Sequence, residues 1–324
     1  MISRKHIMRA VEPESKTAGR IDPVSDPGPV GRFAPSPTGE LHFGSLVAAV
    51  GSFLEARTRG GRWLVRIEDI DPPREVAGAA RRQLAVLARF GMRPDEPVSY
   101  QSDFRARHDA AIERLLELGA AFPCACTRKD LSAGGIYPGT CRRGLPAGRS
   151  ARSIRFAVAD TAVEFRDRAL GHQRQQPSHQ SGDFIIRRAD DLIAYQLAVV
   201  VDDAAAGVTE VVRGADLLES TGRQILLQRA LGLNTPGYLH LPVVVDPQGR
   251  KLSKSHGADP VAVLSAPEAL ALALSALGHP PPSSARRLAS LWDWAFTCWN
   301  RQRIPRGPVT VQDGRVESYT RQRP

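Results

Sequence analysis

The sequence lacks a long apolar run and is poor in cysteine. Its most apolar stretch, residues 193–201, is interrupted by Gln196 and is much shorter than the roughly 20 residues needed to cross a bilayer. Four cysteines in 324 residues are too few for a secreted disulfide framework, and three of them lie between Cys124 and Cys141. We therefore expect a cytoplasmic protein without a membrane span, with reduced thiols and with a metal at the cysteine cluster.

Acidic residues are scarce relative to basic ones. Lys and Arg total 44 against 34 Asp and Glu, which gives a formal net charge of +10. Hydrophobic residues at 42% and charged residues at 24% are close to globular averages, so disordered, collagen-like and coiled-coil classes are excluded. The basic surplus favours a polyanionic partner, although an ordinary basic surface would give the same count.

Apolar periodicity changes along the chain and predicts an α/β fold. From Val30 onward, patterns typical of strand, loop, helix and strand alternate, which indicates a parallel, doubly wound sheet. A second α/β stretch contains residues 183–186 and 197–201, both predicted as strands, and a helix at 217–231. The predicted segments are a flexible leader (1–29), the first half of a Rossmann-like domain (30–115), an insertion (116–182), the second half of that domain (183–245), a helical segment (246–306) and a disordered basic tail (307–324).

The segment from Arg32 to Ser45 follows the first predicted strand and enters the first predicted helix. A helix N-terminus offers unpaired N–H groups and a positive dipole end, so His42 and Gly44 are placed to meet a phosphate. Gly44 lacks a side chain, which allows a ligand to approach closely. Alternatively, the segment is a proline-rich turn in which His42 only caps the helix.

A second segment, Lys251 to Gly257, carries two lysines three residues apart with hydroxyl groups beside them. Mobile ammonium groups such as those of Lys251 and Lys254 can bind a triphosphate and follow its charge into a transition state. A solvated basic turn is the alternative for so short a match.

Together, and about 200 residues apart, the two segments resemble the HIGH and KMSKS signatures of class I aminoacyl-tRNA synthetases, and the first resembles the glutamyl and glutaminyl branch. Phe43 and Ser45 replace the Ile and His of the first signature, and Leu252 replaces the Met of the second. The resemblance implies a Rossmann-like catalytic domain that forms an aminoacyl-adenylate from ATP and Mg2+. It implies catalytic roles for His42, Gly44, Lys251 and Lys254, and ATP binding by His42, Gly44, Ser253 and Lys254.

Glutamate presents two carboxylates and one ammonium, so its site should offer arginine and a carboxylate. Similarity to glutamyl-tRNA synthetases implies that Arg32 and Arg213 hold the side-chain carboxylate and that Glu68 holds the ammonium. It also implies that the pocket is completed by Ala34, Ser36 and Tyr195. Glu68 and Arg213 could instead form structural ion pairs.

Cys124, Cys126 and Cys141 could occupy three corners of a tetrahedral zinc site, with Gly134-Gly135 giving the loop room to turn. Similarity to truncated glutamyl-tRNA synthetase paralogues implies Tyr137 as the fourth ligand of a structural Zn2+ that orders an insertion facing tRNA. Three reduced structural cysteines, or a site completed by Cys298 or by water, are the alternatives.

About 70 residues follow Ser255, so we expect no helical anticodon-binding domain. Over residues 30–306 the chain resembles the family of glutamyl-Q tRNA(Asp) synthetases. This resemblance implies a monomer that activates L-glutamate without tRNA and transfers it to the queuosine base in the anticodon of tRNA(Asp). The alternatives are a small-molecule adenylate-forming ligase or nucleotidyltransferase, and a non-catalytic tRNA-binding paralogue.

Overall fold

The computed structural model describes residues 28–131, 136–251, 264–312 and 315–319. In chain order, the strands are β1 (Val30–Phe33), β2 (Arg62–Ile67), β3 (Ser99–Tyr100), β4 (Ala121–Cys124), β5 (Ser153–Phe156), β6 (Val163–Asp167), β7 (Gly171–Gln175), β8 (Phe184–Arg187), β9 (Glu210–Gly214), β10 (Gly237–Leu241), β11 (Val244–Val245), β12 (Val309–Gln312) and β13 (Arg315–Ser318). The helices are α1 (Phe43–Arg57), α2 (Ala79–Arg89), α3 (Arg105–Glu117), α4 (Pro177–Gln180), α5 (Tyr195–Ala205), α6 (Ser220–Leu231), α7 (Ala266–Ala276) and α8 (Leu288–Cys298).

A seven-stranded sheet in the order β3-β2-β1-β9-β10-β6-β7 forms the centre of the fold. Neighbouring strands are parallel except for the antiparallel pair β6 and β7 at one edge. Both faces are covered: Val212 belongs to the apolar cluster that contains α1, whereas Val211 belongs to the cluster that contains Ile225 of α6. The structure confirms the predicted parallel α/β architecture.

The run from Leu197 to Val201 was predicted as a strand, and this prediction is wrong because the run lies in helix α5. All five residues are buried, in one cluster with α3 residues and Leu227 of α6. A helix enclosed on several sides shows a continuous apolar run, which periodicity alone does not distinguish from a buried strand.

The boundaries of the insertion also differ from those predicted at 116–182. Strands β6 and β7 join the main sheet, whereas β8, assigned from sequence to the second half of the domain, pairs with β5 in a separate sheet β4-β5-β8. The polar sequence of β7 resembles a loop because β7 is an edge strand with alternate residues exposed.

The predicted disordered tail contains a hairpin within its described part. Strand β12 pairs antiparallel with β13 and parallel with β11, where Val309 faces Val244 in register and is buried. Alternating valines on either side of Asp313-Gly314 are the sequence signal that predicts such a hairpin. The predicted leader lies outside the described residues apart from Gly28 and Pro29, and in the described ranges no helix is long and apolar enough to cross a membrane.

Candidate active site

A cleft of about 800 Å³ opens where strands β1, β2, β9 and β10 reach their carboxyl ends and where α1 begins. This is the edge at which parallel α/β sheets bind ligands, because loops and helix N-termini converge there. Nine residues proposed from sequence line this one cleft: Arg32, Ala34, Ser36, His42, Gly44, Glu68, Tyr195, Arg213 and Lys251. Ser253 and Lys254 lie outside the described residues.

The N-terminus of α1 forms one wall of the cleft. His42 is the N-cap residue, and its Nδ1 accepts a hydrogen bond from the backbone N–H of Ser45 at 3.2 Å. A neutral imidazole that accepts at Nδ1 carries its proton at Nε2. His42 therefore both caps the helix and lines the cleft, so the two interpretations drawn from sequence are compatible.

Gly44 has a local role at this wall. A Cβ added to Gly44 would lie 3.2 Å from both Nδ1 and Cε1 of the His42 imidazole. The missing side chain thus leaves room for the ring of His42.

A buried glutamine that sequence reasoning missed shapes the loop before His42. The Nε2 group of Gln83, on α2, donates to the backbone oxygens of Ser36 at 3.0 Å and Gly39 at 2.7 Å. Gln83 is buried on the same helix face as Val86 and Leu87. A polar residue on the apolar face of a helix was the available signal.

Four charged side chains form a buried network, and two of them, Arg32 and Glu68, also line the cleft. The Nε of Arg32 donates to both carboxylate oxygens of Asp203 at 3.1 Å. The Nη1 of Arg66 lies 2.7 Å from Oδ1 of Asp203, and its Nη2 donates to Oε1 of Glu68 at 3.3 Å. Asp203, to which sequence reasoning gave no role, is therefore the anion shared by both arginines.

The pKa values of the two acids move in opposite directions. Burial raises the pKa of Asp203, but the adjacent Arg32 and Arg66 outweigh it and hold this pKa below its ordinary value. Burial also raises the pKa of Glu68, and here the attraction of the same arginines does not offset it. Glu68 is consequently a buried carboxylate whose charge is weakly compensated within the protein.

Arg213, at the end of β9, differs from the other arginines of the cleft because all of its hydrogen-bond partners among the described residues are neutral. Its Nε donates to Nε2 of His240 at 3.2 Å. Its Nη groups donate to Oε1 of Gln224 at 2.8 Å, Oγ1 of Thr221 at 2.9 Å and the backbone oxygen of Leu217 at 3.3 Å.

The charge of Arg213 is therefore uncompensated by any direct ion pair to the described residues. Arg32 pairs with Asp203 and Arg74 with Asp71, but no carboxylate among the described residues lies within 4.0 Å of Arg213. The structural ion pair that the sequence left open for Arg213 is absent from this part of the chain, whereas Glu68 does pair with Arg66.

Lys251 lies at the rim of the cleft, where its Nζ is 2.5 Å from Oδ2 of Asp216. Its backbone bridges to Val245, so β11 holds it in the lining of the cleft to which the N-terminus of α1 also contributes. The side chain is 47% exposed, which leaves the ammonium free to exchange Asp216 for a phosphate.

The three cysteines lie together in the insertion, and their sulfur atoms are all within 4.8 Å of one another. The Sγ atoms of Cys126 and Cys141 are 3.7 Å apart. The hydroxyl of Tyr137 lies 3.5 Å from Sγ of Cys124 and 3.9 Å from Sγ of Cys126. Tetrahedral zinc bonds imply edges of about 3.8 Å between sulfurs and about 3.5 Å between sulfur and oxygen, so this donor set fits zinc.

Tyr137 is the weakest of these four donors. Burial and the hydrogen bonds to Cys124 and Cys141 raise the pKa of Tyr137, so a cation would have to displace its proton before the phenolate could ligate. Cys298 lies on α8 and does not belong to the cluster. Gly134-Gly135 lies outside the described residues.

Residues 30–134 and 143–270 match the family model described as the catalytic domain of class I tRNA synthetases for glutamate and glutamine. The chain belongs to this family and is an ATP-dependent ligase.

Several curated relatives of this chain share one name within the family. A protein of Chromobacterium violaceum is 51% identical over 87% of this chain and 97% of its own length. A protein of Aromatoleum aromaticum is 52% identical over 94% of this chain and 99% of its own length. A protein of Pseudomonas aeruginosa PAO1 is 50% identical over 86% of this chain and 95% of its own length. All three are named glutamyl-Q tRNA(Asp) synthetase, and within the family the chain groups with proteins of that name.

Solved structures support the fold. A glutamate tRNA ligase of Elizabethkingia meningosepticum, crystallised with its amino acid, superposes with a TM-score of 0.74 at 24% identity, covering 87% of this chain and 67% of that one. A glutamate-tRNA synthetase of Elizabethkingia anophelis gives the same TM-score over 89% and 68%.

Proposed function

We propose that this protein activates L-glutamate with ATP, without tRNA, and transfers the glutamate to the queuosine base in the anticodon of tRNA(Asp). The proposal is supported by the name of the curated relatives, glutamyl-Q tRNA(Asp) synthetase. The residues of the cleft support the first half of the reaction, because the side-chain carboxylate and the ammonium of glutamate each have a matching side chain there.

The observation that carries the proposal is the uncompensated charge of Arg213. A buried guanidinium without an anionic partner is costly, because desolvation of its charge is not offset by attraction. Arg213 is buried and lines the cleft. A substrate carboxylate is the partner that completes this arrangement, and Arg32 lies at the same cleft to share it.

Glu68 supplies the complementary charge for the substrate ammonium. Its carboxylate makes a single hydrogen bond to the described residues, at 3.3 Å from Nη2 of Arg66. An incoming ammonium would therefore find acceptor capacity and a negative charge that Arg66 compensates only weakly. Ala34, Ser36 and Tyr195 complete the walls of this pocket.

The N-terminus of α1 suits the phosphates of ATP, which we propose to be bound with Mg2+. The proton on Nε2 of His42 and the backbone N–H groups near Gly44 can donate to phosphate oxygens. Lys251 is available from the rim, and the sequence motif assigns Ser253 and Lys254 to the same task.

The chemistry needs no protein nucleophile. The α-carboxylate of glutamate attacks the α-phosphorus, a new P–O bond forms, and the bond between the α- and β-phosphates breaks to release pyrophosphate. The protein contributes alignment and stabilisation of the negative charge on the phosphates. No proton has to move in this step because the attacking group is already ionised.

Cys124, Cys126 and Cys141, with Tyr137 as fourth ligand, would hold one Zn2+. The cluster packs between β4 and the chain that follows it, remote in sequence from the cleft residues. The ion would supply structural cross-linking of the insertion, which we propose to face tRNA.

Glutamate-dependent exchange between ATP and pyrophosphate, measured without RNA, tests the activation step. We expect exchange in the unmodified protein and a rise of at least about tenfold in the KM for glutamate in Arg213→Ala, since a charge-assisted contact is removed. The KM for ATP should remain within about twofold. Arg89→Ala, on the exposed side of α2, is the matched control and should behave like the unmodified protein. If the unmodified protein shows no glutamate-dependent exchange, the proposal is contradicted.

A further inference from the structure

We propose that Asp167 and His240 are positioning residues that keep Arg213 selective for a carboxylate over an amide. This inference rests on the proposed activation of glutamate and adds to it the means of discrimination between glutamate and glutamine. Neither residue lines the glutamate cleft, and both act through Arg213.

Three adjacent strands of the main sheet place the three side chains in a row. Arg213 on β9 is in register with His240 on β10, and Tyr238 on β10 is in register with Asp167 on β6. Asp167 is 1% exposed, His240 is 0% and Arg213 is 5%. The arrangement is thus fixed by backbone pairing and closed to solvent.

The hydrogen bonds of this row have a defined direction. Asp167 accepts from the backbone N–H groups of Ala169 at 3.0 Å and Leu170 at 2.8 Å, which orients its carboxylate. Its Oδ2 lies 2.7 Å from Nδ1 of His240. An ionised carboxylate only accepts, so Nδ1 of His240 carries a proton.

The consequence appears at the other ring nitrogen. The Nε of Arg213 only donates, so Nε2 of His240 must offer its lone pair across the 3.2 Å contact. His240 is therefore neutral and held in the Nδ1–H tautomer. Burial lowers the pKa of His240, and the charge of Arg213 also lowers it. Together they outweigh the attraction of Asp167, so the lowered pKa agrees with a neutral ring.

A neutral acceptor at this point has a specific effect on Arg213. A carboxylate there would satisfy the guanidinium and cancel its charge, whereas the imidazole satisfies the Nε–H group and leaves the charge in place. Gln224 acts in the same way, because its own amide donates to Oε1 of Gln196 at 3.0 Å and its oxygen is thereby turned to Arg213.

Discrimination follows from that residual charge. A glutamate side chain brings a full negative charge to a buried cation, whereas glutamine brings a neutral oxygen and an NH2 group that competes with the donors of Arg213. Sites that bury a charge reject the uncharged analogue strongly, since the buried group then remains uncompensated.

A matched pair of substitutions at His240 separates positioning from packing. In His240→Gln, the side-chain amide reaches the position of Nε2 and can still accept from Arg213. In His240→Asn, the amide reaches only the position of Nδ1, so the bond to Asp167 survives and the acceptor for Arg213 is lost. Both variants remove the same ring, which stacks on Tyr238 at 6.2 Å.

The readout is exchange between ATP and pyrophosphate with glutamate and with glutamine. We expect His240→Asn to raise the KM for glutamate about tenfold and to lower the ratio of kcat/KM for glutamate over glutamine by a similar factor, as for loss of one hydrogen bond to a charged group. His240→Gln should stay within about threefold of the unmodified protein. The KM for ATP should be unaffected in both.

Equal losses of kcat/KM for glutamate in the two variants, or equal rises in the KM values for glutamate and ATP, would overturn the positioning role of Asp167 and His240. The proposed activation of glutamate would remain intact. Absence of exchange in the unmodified protein would instead overturn the proposed function.

A second measurement does not depend on activity or on a buried substitution. Nitrogen-15 NMR of the histidine rings in the unmodified full-length chain should place the proton of His240 on Nδ1, with the ring neutral at pH 7. A proton on Nε2, or an imidazolium ion, would refute the proposal. Asp167→Asn should shift the ring of His240 towards the Nε2–H tautomer.

Discussion

The imidazole of His42 lies close against Gly44, because a Cβ at Gly44 would be only 3.2 Å from the ring nitrogen Nδ1 and the ring would have to shift slightly. Two residues of one short motif thus depend on each other. We expect Gly44→Ala to displace the ring and to slow exchange between ATP and pyrophosphate by about tenfold or more. The melting temperature should change little, since alanine is favourable in the first turn of a helix.

His42→Asn is the matched variant for this prediction. Asparagine also caps helices, so the bond to the N–H of Ser45 can be retained while the imidazole is lost. We expect stability close to that of the unmodified protein and a large fall in the exchange rate. Full activity in His42→Asn would limit His42 to capping.

Asp203 is the anion that joins Arg32 and Arg66, so its removal should be costly for folding. Asp203→Asn leaves two buried guanidinium groups with less compensation, and we expect a fall of about 3 kcal/mol in the free energy of unfolding, measured with urea. Glu96→Gln breaks an ion pair in which both side chains are about half exposed, and it should cost less than about 1 kcal/mol.

The pH dependence of this effect has a defined sign. Burial raises the pKa of Asp203, but Arg32 and Arg66 hold it below the ordinary carboxyl value. The stabilisation is therefore complete above the ordinary pKa of an unfolded aspartate and is lost as the pH falls through the lowered value. In Asp203→Asn this part of the pH dependence of the free energy of unfolding should be absent. The same dependence on pH in the variant and in the unmodified protein would contradict the role of Asp203 as the shared anion.

Glu68 should make glutamate binding sensitive to acid. Its pKa is raised by burial, against the attraction of Arg66 and Arg32 and with the repulsion of Asp203. Because only the ionised form binds an ammonium, the KM for glutamate should rise as the pH falls through this raised value. The ionisation of free glutamate changes little between about pH 5 and 8. Glu68→Gln should bind glutamate weakly, and its KM for glutamate should not change with pH over that range. If its KM still rises at low pH as in the unmodified protein, a group other than Glu68 is responsible.

The cysteine cluster should hold about one zinc per chain, measured by elemental analysis of purified protein. We expect Cys141→Ser to lose the metal, and Tyr137→Phe to retain it with lower affinity because three thiolates remain. Exchange between ATP and pyrophosphate should survive metal loss, whereas transfer to RNA should fall. Full zinc retention in Cys141→Ser would remove that residue from the ligand set.

The sequence was most informative where function is local in the chain. Arg32, His42 and Gly44 lie in one motif, and the structure brings them to the same cleft as Tyr195 and Lys251. Once the resemblance had indicated glutamate as the substrate, the charges of glutamate predicted an arginine and a carboxylate in its site, and the resemblance assigned these roles to Arg32, Arg213 and Glu68.

Residues that are far apart in the sequence and come into contact only in the folded chain could not be paired from the sequence. Asp203 lies 171 positions from Arg32, and Asp167 lies 73 positions from His240, so neither pairing follows from spacing. Helix α5 was mistaken for a strand because burial on several sides removed its periodicity. The hairpin of β12 and β13 was missed because a composition rich in proline, arginine and glutamine obscured a short alternating pattern.

The proposed acceptor of the glutamate is the queuosine base of tRNA(Asp). The most direct measurement incubates the protein with ATP, Mg2+ and labelled glutamate, and compares tRNA(Asp) that carries queuosine with the same tRNA lacking it. We predict label only on the queuosine-containing tRNA and, after ribonuclease cleavage, on the fragment that contains the anticodon. Label that appears on both tRNAs, or that lies on the fragment with the 3′ end, would contradict the account.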